Sequence, residues 1–80
     1  MYRVSSAASV HGPMGKMTDW QEVDCADFTA ALCKAFDLIA EDKQTVIIAD
    51  TDADNKTARI ECRCINDGLR YDLIIRIENI

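Results

Sequence analysis

The sequence lacks a long apolar run. Residues 1–12 do not contain the continuous apolar segment of a signal peptide, and no other stretch approaches the length of a membrane span. We therefore expect a soluble, cytoplasmic protein. Internal repeats and low-complexity tracts are also absent, so the 80 residues are expected to form one domain, residues 1–80. Such a domain has a small core, because it buries only about 60% of its unfolded surface.

Histidine is scarce, and the cysteines follow no metal-binding spacing. His11 is the only histidine, and the cysteines are Cys25, Cys33, Cys62 and Cys64. A zinc site combining them would match no usual pattern, and nothing in the sequence brings a cysteine near His11 for a nucleophilic pair. In the cytoplasm these cysteines are expected to be reduced, serving as small core residues. We expect no enzymatic activity, no metal and no cofactor.

Basic residues are in short supply. The formal net charge is −5, and the imbalance lies in residues 19–54, which hold ten acidic residues and two lysines. A protein that binds nucleic acid directly needs a basic footprint for the phosphates, and this sequence has none. The composition therefore argues against direct binding to nucleic acid.

Two stretches near the carboxyl terminus alternate apolar and polar residues. They are residues 57–65 (TARIECRCI) and residues 69–79 (LRYDLIIRIEN), with Asp67 and Gly68 between them. Alternation on both sides of an Asp-Gly pair predicts a β-hairpin. The register is well specified, because a slip by one residue would mix the apolar and polar faces. The expected pairs on the apolar face are Cys64 with Tyr71, Cys62 with Leu73, Ile60 with Ile75, and Ala58 with Ile77.

The segment after residue 23 has helical periodicity. Asp24 is expected to cap the amino terminus of the helix, and Asp27 adds a favourable negative charge to the first turn. The helix should end near residues 42–43. Its apolar face is predicted to consist of Phe28, Leu32, Ala35, Phe36 and Ile39. Within it, Phe28, Leu32 and Phe36 are expected to cover the hairpin residues Ile60, Cys62, Leu73 and Ile75.

Two further strands complete the predicted fold. Residues 2–10 predict a first strand, and residues 44–49 are apolar on both faces, as expected of a strand flanked on both sides. Residues 16–23 are interpreted as an ordered loop, with Trp20 covering one end of the core; a capping box of Thr18 and Gln21, or a short strand over residues 17–23, are the alternatives. The predicted class is α+β, with a single helix on one face of a mostly antiparallel four-stranded sheet (β-α-β-β-β). A helical crossover would make the first strand parallel to its neighbour.

One acidic segment resembles the calcium loop of EF-hand proteins. Counted from Asp50, acids stand at positions one, three, five and twelve, which are Asp50, Asp52, Asp54 and Glu61. Asn55 replaces the glycine of that pattern, and the flanking segments are strand-like rather than helical. As a strand residue, Glu61 would lie about 13 Å from the loop, too far to bind the same ion. We interpret the segment as a solvated hairpin loop; a calcium-binding loop protein is the second alternative function.

The sheet face opposite the helix has no second layer to cover it. It is expected to carry charged residues around an apolar centre at Ile74, and such a surface is typical of protein–protein interfaces. Arg63, Ile74 and Arg76 are the candidate interface residues. A self-associating structural or adaptor module, monomer or homodimer, is therefore the first alternative function.

Small size, an acidic balance, a one-helix, one-sheet build and the absence of catalytic motifs occur together in this chain. In these respects it resembles the small inhibitor proteins of phages and mobile elements, of the anti-CRISPR type. The resemblance implies a stoichiometric inhibitor that occupies a basic nucleic-acid-binding protein, such as a CRISPR effector complex, by presenting carboxylates where phosphates would sit, as a DNA mimic does. The residues expected to bind this partner are Asp27, Asp37, Glu41, Asp42, Asp50, Asp52 and Asp54.

Overall fold

A computed structural model describes residues 1–10, 15–40, 44–52, 54–66 and 68–80 of the chain, with only the backbone of residues 44–48, 66 and 69. These residues form an antiparallel sheet in the order β2-β1-β5-β4-β3, with one helix packed against it. The elements are β1 (Tyr2–Val10), β2 (Gln21–Cys25), α1 (Phe28–Ala40), β3 (Gln44–Asp52), β4 (Thr57–Asn66) and β5 (Leu69–Asn79). The α+β class is confirmed, but the described sheet has five strands rather than four.

The hairpin of β4 and β5 has the predicted register. Ile60 lies opposite Ile75, and Cys62 lies opposite Leu73. Gly68 has a φ of 81°, which is the left-handed conformation that a tight hairpin turn requires. The turn residue Asp67 lies outside the described residues. The prediction of the hairpin is correct because the periodicity of the strands and the residues of the turn specify the same pairing.

The additional strand, β2, comes from the segment predicted to be a loop. It folds back on β1, with Tyr2 opposite Cys25 and Ser6 opposite Gln21. Four of its five residues are exposed, so β2 has no apolar alternation by which it could be recognised. The predicted parallel pairing of the first strand is also wrong, because β1 lies between β2 and β5 and is antiparallel to both.

The third strand, β3, lies at an edge of the described sheet and pairs with β4. The expectation that both of its faces are covered falls on residues 44–48, whose side chains lie outside the described part of the structure. A shift in the pairing register between Val46 and Ile48 marks a β-bulge or irregularity. An extra residue at a bulge interrupts the alternation of side chains between the two faces of the strand. The apolar run in β3 therefore does not follow a period of two residues.

The helix begins later than predicted. Asp24 belongs to β2, and Asp27 is the capping residue, since its Oδ1 accepts a hydrogen bond of 2.7 Å from the backbone nitrogen of Ala30. Most of the predicted apolar face is confirmed, since Phe28, Leu32 and Ile39 pack against the core. Ala31 and Ala35 are fully buried, whereas Phe36 is 61% exposed, so the predicted contact of Phe36 with the hairpin is wrong.

The core lies between the helix and the sheet. Ile60, Cys62 and Ile75 are buried as predicted, and Leu73 is half-buried at its margin. At the end of the sheet near β2, the rings of Tyr2 and Phe28 lie 5.8 Å apart. The four cysteines are free, and Cys62 and Cys64 are buried in the core. None of the described helical residues belongs to a helix that is long and apolar enough to cross a membrane.

Candidate functional site

Three of the predicted partner-binding acids lie together at the turn between β3 and β4. Asp50 and Asp52 end β3, and Asp54 stands in the turn; all three are exposed. We call these three residues the acidic hairpin. Asp50 lies opposite Arg59 on β4, so one arginine stands beside the group. Two of the three carboxylates thus belong to a strand of the sheet, and the third to the turn that follows it.

Asp52 fixes the turn of the acidic hairpin. Its Oδ1 accepts hydrogen bonds of 3.1 Å from the backbone nitrogens of Asp54 and Asn55, and its Oδ2 accepts one of 2.7 Å from the Asn55 side chain. The Asn55 side-chain bond, with the backbone bonds, lowers the pKa of the Asp52 carboxyl below its ordinary value of 3.8. Lys56 completes the turn with a φ of 53°. Asp52 therefore has a structural role and stays ionised near neutral pH.

The other described acids of the predicted set belong to the helix or cap it. Asp27 caps the helix, and Asp37 is exposed on the helix, separate from the acidic hairpin in sequence. Glu41 and Asp42 lie outside the described residues. The structure thus brings together Asp50, Asp52 and Asp54, whereas Asp27 has a structural role as the cap of the helix.

The resemblance to a calcium loop can be compared with the described geometry. As predicted, strands flank the turn, and Glu61 is a residue of β4, where its carboxylate pairs with Arg59. Among the described residues, no three His, Cys, Asp or Glu side chains are grouped so that they could hold a metal ion. The oxygens of Asp52 are directed to the turn.

The outer face of the sheet, opposite the helix, is centred on β5. The candidate interface residues Ile74 and Arg76 project from this strand, and Arg63 projects from β4 beside Asp72. The Arg63 Nε lies 3.9 Å from Asp72 Oδ1. The outward residues of β5 form a row that we call the β5 stripe: Arg70, Asp72, Ile74, Arg76 and Glu78.

Trp20 lies on this outer face and not over the core as predicted. The guanidinium carbon of Arg76 is 4.9 Å from the centre of a Trp20 ring, within the range of a cation–π contact. Strand β1 lies between β5 and β2. Its residues Ser5 and Ala7 lie on the outer face, and both are buried. Residues 5–9 of β1 are all small, which leaves room for a larger side chain on this face.

Arg3 connects β1 to β2. Its Nε lies 2.9 Å from Asp24 Oδ1 and 3.5 Å from Glu22 Oε2. The hydrogen bond to Asp24 and the charges of Asp24 and Glu22 raise the pKa of Arg3. These contacts hold the exposed strand β2 on the sheet edge.

Comparisons with known proteins give no relative from which a function could be transferred. No protein-family model matches the chain, and neither a curated protein sequence nor a solved structure resembles it significantly. What the protein binds must therefore be inferred from its own surface.

Proposed function

We propose that the protein is a non-catalytic, stoichiometric inhibitor that covers a basic nucleic-acid-binding surface of another protein. The acidic hairpin is the contact. The observation that carries the proposal is the set of hydrogen bonds accepted by Asp52, which fixes a turn on which Asp50 and Asp54 are exposed. Carboxylates on a fixed turn lose little conformational entropy when they meet a partner.

The electrostatics favour a basic partner. The chain has a net charge of −5, and its acidic residues are concentrated in residues 19–54. A negative potential of this kind speeds encounter with a positively charged groove. Screening limits the attraction to about 10 Å at 0.1 M salt, so contact residues are still required for tight binding. Asp37, on the helix, contributes to the long-range field rather than to the hairpin contact.

The resemblance to anti-CRISPR proteins supplies a partner class. It implies a CRISPR effector complex, whose guide and target nucleic acids lie in positively charged channels. Carboxylates that occupy such a channel would compete with phosphates for the same arginines and lysines. The protein would then act at one copy per binding surface and need no cofactor.

The experiment compares two double variants with the same change in charge. Asp50→Asn with Asp54→Asn neutralises the acidic hairpin and leaves Asp52 in place to hold the turn. Asp19→Asn with Asp37→Asn is the control, since both residues are exposed and lie outside the hairpin. Each protein is immobilised, candidate partners are captured from a host lysate at low salt, and captured proteins are purified.

The readout is displacement of labelled duplex DNA or guide RNA from the captured partner, followed by fluorescence polarisation. We expect wild type and control to displace nucleic acid at one-to-one stoichiometry, with an affinity that falls steeply with salt. The hairpin variant should be at least about tenfold weaker, as expected when close charge pairs are removed. Equal displacement by both double variants would rule out the acidic hairpin as the contact.

A further inference from the structure

The two edges of the described sheet differ in length and in charge. The sheet ends in β2 on one side and in β3 on the other. An edge strand presents backbone N–H and C=O groups that can pair with another chain, and proteins protect such edges by short length, charge or proline. β2 has only five residues, and its acids Glu22 and Asp24 lie beside Arg3. β3 has nine residues, none of them lysine or proline, so its edge is the more open to pairing.

The second half of β3 is the regular part of this edge. Beyond the bulge, residues 49–52 pair with β4 without a further shift, from Ala49 opposite Ile60 to Asp52 opposite Thr57. All four residues are exposed, and helix α1 packs mainly against β1, β2 and β5. A regular and exposed edge of this kind can receive one more strand through backbone hydrogen bonds.

The charge of this segment determines which strand can be added. Asp50 is exposed, and Arg59, which lies opposite it on β4, pairs with Glu61. The Asp50 carboxylate can therefore meet a cation on the open side of β3. Asp52 lies two residues further along and holds the turn, and its negative charge adds to the potential on the same face.

The same charge argues against a second copy of the chain as the occupant. A second β3 would bring its own Asp50 and Asp52 to this edge, and like charges on neighbouring strands are destabilising. Each copy also carries a net charge of −5. A strand with basic side chains has the opposite charge and is attracted to this edge.

We propose that the edge of β3, along residues 49–52, receives an extended strand of the partner protein in which basic and apolar side chains alternate. A basic side chain of that strand lies beside Asp50. The proposal rests on the proposed function, because it specifies how the basic partner binds at the acidic hairpin. Backbone hydrogen bonds supply affinity in such an arrangement, and the alternating side chains supply specificity.

The other face of β3 accounts for the apolar positions of the added strand. Ala49 lies opposite Ile60, and Thr51 lies opposite Ala58. Ile60 and Ala58 are buried in the core, whereas Ala49 and Thr51 are exposed at its margin. Apolar side chains beside Ala49 and Thr51 would extend the apolar face of the sheet by one strand.

The probe is a labelled synthetic peptide of seven residues in which arginine alternates with valine, with both ends blocked. Fluorescence polarisation measures its binding to the full chain. A peptide of the same composition with its arginines together at one end is the control for charge and should bind more weakly. Asp50→Asn should weaken binding of the alternating peptide about two- to fivefold, the effect of one exposed ion pair. Asp19→Asn, a matched change at an exposed residue outside the described strands, should leave it unchanged.

Methylation of the peptide backbone separates strand addition from charge attraction alone. The amides of alternate residues point to the same edge of a strand, so methylating the arginine amides blocks one edge and methylating the valine amides blocks the other. Methylation of both sets should weaken binding at least about tenfold, because no amide can then donate to β3. At least one of the two half-methylated peptides should bind like the parent, because one open edge is sufficient.

Several results would overturn strand addition. They are parent affinity in the fully methylated peptide, loss of binding in both half-methylated peptides, equal binding of the control with clustered arginines, and no binding of the alternating peptide at millimolar concentration. The proposed function can fail separately. Loss of nucleic-acid displacement in the acidic-hairpin variant, with no effect of methylation, would leave the hairpin as the contact without an added strand. The expected effect of methylation, with normal displacement by that variant, would leave a strand-binding edge and refute the proposed function.

Hydrogen exchange followed by mass spectrometry locates the added strand. Saturation with the alternating peptide should slow exchange within Gln44–Asp52 and leave Gln21–Cys25 unchanged, since only β3 gains backbone hydrogen bonds. Slower exchange in β2 alone would overturn the choice of edge. Sedimentation velocity of the free protein tests the occupant, because a dimer that the peptide dissociates would show that a second copy pairs with β3 and would overturn the choice of a basic partner.

Discussion

Replacing Ala35 by leucine should destabilise the fold more than replacing Phe36 by alanine. Ala35 is completely buried between the helix and the sheet, so the larger side chain has no space and should cost about 1–3 kcal/mol by overpacking. Alanine and leucine have similar helix propensities, so this cost reports on packing. Phe36 is 61% exposed, and its truncation should change stability by no more than about 0.5 kcal/mol.

Urea unfolding followed by circular dichroism measures both effects. A domain of 80 residues is expected to have a stability of about 4–12 kcal/mol, so the loss in Ala35→Leu should be readily resolved. Measurements at several protein concentrations separate stability from self-association. The reasoning would be refuted by a loss of about 3–5 kcal/mol in Phe36→Ala, the range for a buried phenylalanine, together with a neutral Ala35→Leu. That result would mean that the helix turns Phe36, and not Ala35, towards the sheet.

Three further predictions concern the core, the turn and the cysteines. Ile75→Ala should lower the free energy of unfolding by about 2–5 kcal/mol, and Leu73→Ala should cost less, because Ile75 is fully buried and Leu73 only partly. The Asp52 pKa is lowered in the folded protein, so this residue stabilises the fold above pH 3.8 and loses that effect as the pH falls through the folded value. Asp52→Ala should therefore lower the urea midpoint at pH 7, and its difference from wild type should shrink towards pH 3; an unchanged difference would contradict the assigned role. Burial raises the pKa of the Cys62 thiol, so iodoacetamide at pH 8 should label the exposed Cys33 first and reach Cys62 only on unfolding, as mass spectrometry of peptides can verify.

The hairpin could be predicted from the sequence because two independent signals specify it. Alternation assigns the faces of β4 and β5, and the Asp67-Gly68 pair fixes the register between them. A register error would have exposed Ile60 and Ile75 together. Local chemistry and global burial thus agree in this part of the chain, and the prediction of the pairing is confirmed.

The centre of the helix's buried face could not be predicted, although most of its members were, because the apolar arc is wide. Apolar residues extend from Phe28 through Ala31, Leu32 and Ala35 to Phe36, and hydrophobicity alone favours the larger ones. The structure buries the alanines, since small residues allow the helix to approach the sheet closely. The choice between two neighbouring helical faces depends on interlayer distance, which a single sequence does not report.

The edge strand β2 and the outer face were missed for a related reason. β2 is held by Arg3, Asp24 and backbone pairing, so its exposed sequence carries no burial signal. Trp20 lies over Arg76 because β2 follows it along the edge, and this position depends on a strand that periodicity does not show. The density of acidic residues in the sequence indicated the acidic hairpin. It could not show that the carboxylates of Asp52 and Asp27 accept hydrogen bonds from backbone nitrogens.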